Sequence, residues 1–142
     1  MFYLDQSLGF LVSRLASSMR SDLERHLAAF GLTAPQWAVL MRLLEHDAWP
    51  QKELGQALGM DKATVGGVVA RLTARHLVVR NRDAQDARVL RVTATAEGRA
   101  LALSVRPLGE KANTHATAAL SKSEVAELKR LLIRARACLD GA

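Results

Sequence analysis

Lys62, Arg71, Arg75, Arg80, Arg82, Arg88, Arg91 and Arg99 fall between residues 61 and 99, where Asp61, Asp83, Asp86 and Glu97 are the opposing charges. The segment therefore carries +4 of the chain's formal +6. A guanidinium presents a planar fork that fits phosphate oxygens and the edge of guanine, so a local excess of arginine suits a polyanion, and a nucleic acid above others. For Arg80, Arg82 and Arg91 taken singly, phosphate contact and simple solvation remain equal readings. Catalysis has much less to stand on. His26, His46, His76 and His115 lie at least 20 residues apart, and none has a metal-like partner nearby in sequence. There is no glycine-rich nucleotide loop and no nucleophile elbow. No catalytic residue, metal site or cofactor is expected. The single cysteine, Cys138, rules out an intramolecular disulfide, fits a reducing cytoplasm, and is expected as a buried thiol on the apolar side of the last helix.

The elements that must position these charges follow from hydrophobic spacing. A chain of 142 residues, 49% hydrophobic and 24% charged, is one domain's worth of globular protein. Leu8, Leu11, Leu15, Met19, Leu23 and Leu27 recur every three or four positions and predict a long amphipathic helix from Leu4 to Phe30. Thr33, Pro35 and Gln36 supply the cap, the first-turn proline and the reciprocal glutamine of a second helix. Its predicted buried stripe is Trp37, Leu40, Met41 and Leu44, and Asp47 to Pro50 ends it. A third helix spans Gln51 to Leu58. Asp61 caps a fourth, which turns Val65, Val68, Val69 and Leu72 inward and runs to about Arg75.

The period then changes. Residues 77–80 and 89–93 are β-branched runs, predicting a two-stranded hairpin with a long tip from Asn81 to Arg88. Helix returns from Ala94, with a bend expected at Pro107, and continues to about Leu120. Ser121 and Glu124 form a capping box before a last helix whose stripe is Val125, Leu128, Leu132, Ala135 and Leu139. The first and last stripes hold more leucine than the short middle section can cover, which predicts a helical dimer interface.

Glu53 to Val65 reads as helix, glycine-containing turn and capped helix, the pattern of a helix-turn-helix. Lys62, Ala63, Thr64, Gly66 and Gly67 are left on the exposed first turns of the fourth helix, small enough to enter a major groove about 12 Å wide. Two glycines inside a helix cost roughly 1 kcal/mol each relative to alanine. Close approach of the backbone to DNA and a tolerated weakness are the two readings of that pair.

Leu32-Thr33 with Gln36-Trp37, the unit from Glu53-Leu54 to Leu58-Gly59, Thr64-Val65, Arg71-Leu72, and above all Asp83-Ala84-Gln85-Asp86-Ala87-Arg88 followed by Val92-Thr93 and Glu97-Gly98 resemble the MarR family of winged helix-turn-helix regulators. The resemblance covers nearly the whole chain. It implies a mostly α fold with a small β-hairpin wing. Residues 1–30 and 106–142 would form the dimerisation region and 31–105 the winged helix-turn-helix, together one compact unit. It further implies a homodimer built by the first and last helices, major-groove recognition by the fourth, and an arginine from the wing in the minor groove. Arg88 is the residue carried onto that last role, with Asp86 positioning the wing by ion pairing or hydrogen bonding. Arg71 and Arg82 join Lys62, Ala63, Thr64, Gly66 and Gly67 as expected DNA contacts. A pocket for small aromatic or phenolic effectors is also implied, with Phe10, Arg14, Trp37 and Met41 as its candidates. The chain departs from the family in two places. His76 stands where many members end the recognition helix with glycine, and Gly66-Gly67 replace larger residues.

The expected protein is thus a cytoplasmic, homodimeric, sequence-specific regulator, a repressor acting on a pseudo-palindromic operator. Its partners would be double-stranded DNA, a second copy of itself and an effector, with no membrane, since no apolar run approaches the roughly 18 residues of a span. The first residues also lack the basic start of a secretory signal. A dimeric winged helix used for protein contacts is the alternative.

Overall fold

The computed structural model describes residues 1–141. Their order is α1 (Leu8–Leu27), α2 (Ala34–Glu45), β1 (Trp49–Pro50), α3 (Gln51–Ala57), α4 (Lys62–Ala74), β2 (Val78–Arg82), β3 (Leu90–Ala94), α5 (Ala96–Ala116) and α6 (Lys122–Asp140). The fold is mostly helical with a small antiparallel sheet, as the spacing predicts. The sheet has three strands rather than two, in the order β1-β3-β2. Trp49 pairs with Val92 and Pro50 with Arg91, so the segment expected only to end α2 also edges the sheet. An edge is where proline is tolerated, because its missing N–H faces away from the ladder. The Trp49 indole holds this edge in place by donating to the Arg42 carbonyl at 3.2 Å.

Local chemistry sets the other boundaries. Leu4–Gln6 is a separate 3₁₀ turn, and Ser7 is extended at ψ 129°, so the first α-helix begins at Leu8 and not at Leu4. After Leu27 the chain tightens into another 3₁₀ turn and reverses at Gly31, whose φ is 66°. The predicted Thr33–Gln36 capping box is present at the start of α2, and the Ser121–Glu124 box at the start of α6. His76, just beyond α4, lies in the left-handed region, φ 58°, taking the conformation a glycine would adopt more easily. α5 continues through Pro107 to Ala116, short of the predicted Leu120.

One core binds these elements. Leu27, Val39, Leu40, Leu43, Leu54, Val65, Val69, Leu72, Val78, Val92 and Val105 are almost wholly shielded from solvent. Val39 and Leu43 were not in the predicted α2 stripe, and Trp37, Met41 and Leu44 pack only partly buried at its margin. Gly98 fixes the fit of α5 against the sheet, since a β-carbon there would land inside the Leu77 carbonyl. The outer helices remain largely uncovered. Leu8, Leu11 and Leu15 of α1 and Leu131, Leu132, Ile133 and Leu139 of α6 are exposed, and α6 contributes no buried residue among those described.

Candidate nucleic-acid interface

α3 and α4 meet through a turn in which Gly59 has φ 68°, followed by Asp61. Asp61 Oδ1 accepts from the Thr64 N–H at 2.7 Å. That bond satisfies one of the free donors at the start of α4 and holds the Asp61 carboxyl below the usual carboxylate range. Val65, Val68, Val69 and Leu72 are buried, while Lys62, Ala63, Thr64, Gly67 and Arg71 are exposed and Gly66 is half-buried. α4 therefore presents the face expected of it. Neither glycine is required by the fold. A β-carbon at Gly67 would meet nothing within 4 Å, and one at Gly66 only the Gln51 amide at 3.7 Å.

The β2–β3 hairpin is organised at its tip by two carboxylates. Asp83 Oδ1 accepts from the N–H groups of Gln85 at 2.8 Å and Asp86 at 3.0 Å, and its Oδ2 pairs with Arg91 Nε. Asp86 Oδ1 accepts from the Arg88 N–H and Nε, each at 3.1 Å, and Oδ2 takes Nη2 at 3.2 Å. The Arg91 guanidinium, with the two tip amides, pushes the Asp83 carboxyl down, and the Arg88 side chain does the same for Asp86. Asp86 thus holds both the backbone and the side chain of Arg88 at the wing tip.

Other arginines of the segment are occupied within the chain, Arg99 by Asp47 at 3.1 Å among them. Arg91 Nη1 donates to the Ala48 carbonyl at 2.7 Å, locking the wing to the β1 edge. Arg82 Nη1 donates to the Ala87 carbonyl at 3.0 Å, across the tip, from a side chain that remains on an exposed residue. Arg75 donates to the carbonyls of Gly31 at 2.8 Å and Phe30 at 3.0 Å, clamping the end of α4 to the α1–α2 turn. The positive charge at the interface thus divides into arginines that build it and cations, Lys62, Arg71 and Arg88 among them, that face outward. Between the helix-turn-helix and the wing runs a groove of about 820 Å³, lined by Gln51, Gln56, Lys62, Asp83, Arg88 and Leu90. Gln51 is a groove residue that sequence reasoning missed. Its place beside Gly66 depends on helix packing that no local pattern encodes.

A second, larger cavity of about 1240 Å³ lies between α1, α2 and α5. Trp37 and Met41 line it, as do Arg20 and Arg106, but Phe10 and Arg14 do not. Those two sit nearer the start of α1, whose contribution to the cavity begins at Met19. The expectation of one cationic side chain from α1 shifts from Arg14 to Arg20, and a second cation enters from α5. The Trp37 indole donates to the Val105 carbonyl at 3.1 Å, fastening the cavity wall to α5.

Two of the four histidines meet at Asp22 and the others stand apart from them. His115 meets Asp22 Oδ2 at 3.0 Å, His26 meets the Asp22 carbonyl at 2.9 Å, and His46 stands edge-on to Trp49. Among the described residues no three histidine, cysteine, aspartate or glutamate side chains gather in a way that could hold a metal ion. Among the described residues no single helix is long and apolar enough to cross a membrane. Cys138 is exposed in the chain, contrary to expectation, on a helix that buries none of its described residues.

Residues 30–89, which hold the helix-turn-helix and the wing tip, match the model of the MarR family. The transcriptional repressor NicR of Pseudomonas putida is 30% identical over 136 residues, covering 91% of this chain and 86% of the relative. The chain belongs to the MarR family. MarR-family proteins are transcriptional regulators rather than enzymes. Bordetella bronchiseptica BpsR, solved in a study of how 6-hydroxynicotinic acid regulates its DNA binding, superposes with a TM-score of 0.89 at 29% identity, over 96% of this chain and 97% of that one. A variant of MarR from E. coli, complexed with operator DNA, superposes with a TM-score of 0.83 at 26% identity, over 90% and 92% of the two chains.

Proposed function

We propose that this MarR-family chain is a cytoplasmic, homodimeric repressor that binds a pseudo-palindromic operator and is released from it by a small aromatic or phenolic effector. The observation that carries the DNA-binding part is that α4 and the wing both present outward side chains, with Lys62 and Arg88 on the two sides of one groove. α4 offers Lys62, Ala63, Thr64, Gly66, Gly67 and Arg71, and the wing offers Arg88, whose side chain is 91% exposed while Asp86 orients it. A helix with small side chains suits the major groove, and an arginine on a thin hairpin suits the enhanced negative potential of a narrow minor groove. The E. coli relative solved with operator DNA supports DNA as the partner.

Two copies joined through the exposed leucines of α1 and α6 would set the recognition helices at half-sites about 34 Å apart. The α1–α2–α5 cavity supports the effector part, for it combines apolar walls at Trp37 and Met41 with guanidinium groups from Arg20 and Arg106. An effector acts by binding better to a dimer whose helices are wrongly spaced, and it lowers DNA affinity by that difference in affinity and no more. Selection of bound fragments from a genomic library tests the reading. The expected result is one enriched palindrome, with affinity falling steeply as salt rises. Uniform weak retention of all fragments would favour the alternative, a winged helix used for protein contacts.

A further inference from the structure

Gln51, the first residue of α3, has a side-chain oxygen that is buried and accepts no hydrogen bond. Its nitrogen Nε2 lies 3.7 Å from the point where a β-carbon on Gly66 would stand. Burial of an amide oxygen without a donor disfavours the folded chain. Glycine in mid-helix disfavours it again, and nothing in the packing demands glycine there. Two features that each weaken the isolated fold therefore meet at one point on the flank of α4, where Gln51 also lines the groove toward the wing. A partner that supplies a donor and enters the space left by Gly66 accounts for both.

We propose that Gln51 reads a base pair of the operator through the gap that Gly66 keeps open, an inference that rests on the DNA-binding function proposed above. A carboxamide places an acceptor and a donor side by side. Adenine shows the matching pair in the major groove, an amino group that donates and a ring nitrogen that accepts. A phosphate would engage only the donor and leave the Gln51 oxygen without a partner. On docking, the amide turns from its buried position toward the groove, and the bare α4 backbone at Gly66 gives it room to do so. A methyl group at 66 would fill that room in ordinary contact with the amide without disturbing the helix.

The test uses the full chain as wild type, Gln51→Met, Gly66→Ala and the double variant. Each is checked by thermal melting, then compared by selection from randomised duplexes and by titration on the selected site and its single-base-pair variants. Gln51→Met is expected to melt no lower than wild type, to bind the preferred site about 5- to 150-fold more weakly, and to lose preference at one A·T position in each half-site while keeping the others. Gly66→Ala is expected to melt higher and relax the same position, and the double variant to be no worse than the weaker single, since both remove one contact. An unchanged preference in both single variants overturns the proposal. So does an equal loss on every sequence, which would mark Gln51 as a phosphate contact. A wild type that selects no sequence at all would overturn the DNA-binding reading itself, a different failure from a selective wild type whose variants select alike.

Discussion

Arg88 shows how one side chain can be both exposed and ordered. Asp86 accepts from its backbone N–H and grips the guanidinium with both oxygens, so the arginine leaves the tip in a set direction without being buried. Arg88→Ala should weaken operator binding by about 1–3 kcal/mol while leaving the oligomeric state unchanged, measured by titration beside sedimentation; full affinity across a salt series would remove Arg88 from the interface. Asp22 does a different kind of work. It is a buried carboxylate joined to His115 of α5 and Arg25 of α1, and those two partners, His115 first, bring its pKa from 3.8 to about 2. A carboxyl that ionises more readily in the fold than in the open chain stabilises the fold wherever it is charged. That contribution is complete above pH 3.8 and disappears as the pH falls through about 2. Asp22→Asn should therefore flatten the decline of melting temperature between pH 4 and pH 2, and a decline identical to wild type would place the acid sensitivity elsewhere.

Among the elements, α5 has the least freedom to shift. Its first turn is capped by Thr95, whose hydroxyl accepts from the Gly98 N–H and donates to the His76 carbonyl. Gly98 itself lies against Leu77 so closely that Gly98→Ala must push helix from sheet, a loss of about 3 kcal/mol readable in denaturant melts. A variant with wild-type stability would mean that the α5–sheet seam yields more readily than its packing implies. Elements of this kind were legible in the chain wherever caps and periodic stripes coincide, as at Thr33–Gln36, Asp61 and Ser121–Glu124. What escaped was decided by contacts distant in sequence. The β1 edge exists because Trp49 and Pro50 find Val92 and Arg91 some forty residues on. The wing strands run to Arg82 and begin again at Leu90, leaving a tip shorter than its polar composition suggested, because Asp83 and Asp86 fold the turn upon itself. Phe10 and Arg14 share a helix with Met19 and Arg20, but the cavity opens only where α2 and α5 cross that helix. Arginines that share a charge also differ in duty. Arg75 and Arg91 bind carbonyls inside the chain, and Arg88 faces outward, a division that composition does not reveal.

At the scale of the whole molecule, the winged domain is closed around its core while the outer helices are unfinished. Ile133 and Leu139 are 70% and 74% exposed, and Leu8 on α1 is 70% exposed, which leaves an apolar surface that a second copy would cover. Removal of residues 121–142 should give a monomer by sedimentation, with its winged domain still folded by circular dichroism; a truncated chain that still forms dimers would refute the proposed interface. α6 also brings its own supports. The Ser121–Glu124 box, the Glu127–Arg130 pair and the Arg136–Asp140 pair all lie within the helix and need no neighbour. A helix already wound before it meets its partner loses little chain freedom on docking, so in the proposed dimer the encounter of two copies would join preformed surfaces. Stability would then acquire a molecularity: by mass action the melting temperature should climb with chain concentration, and the amount of protein present would set how much of it is assembled to act.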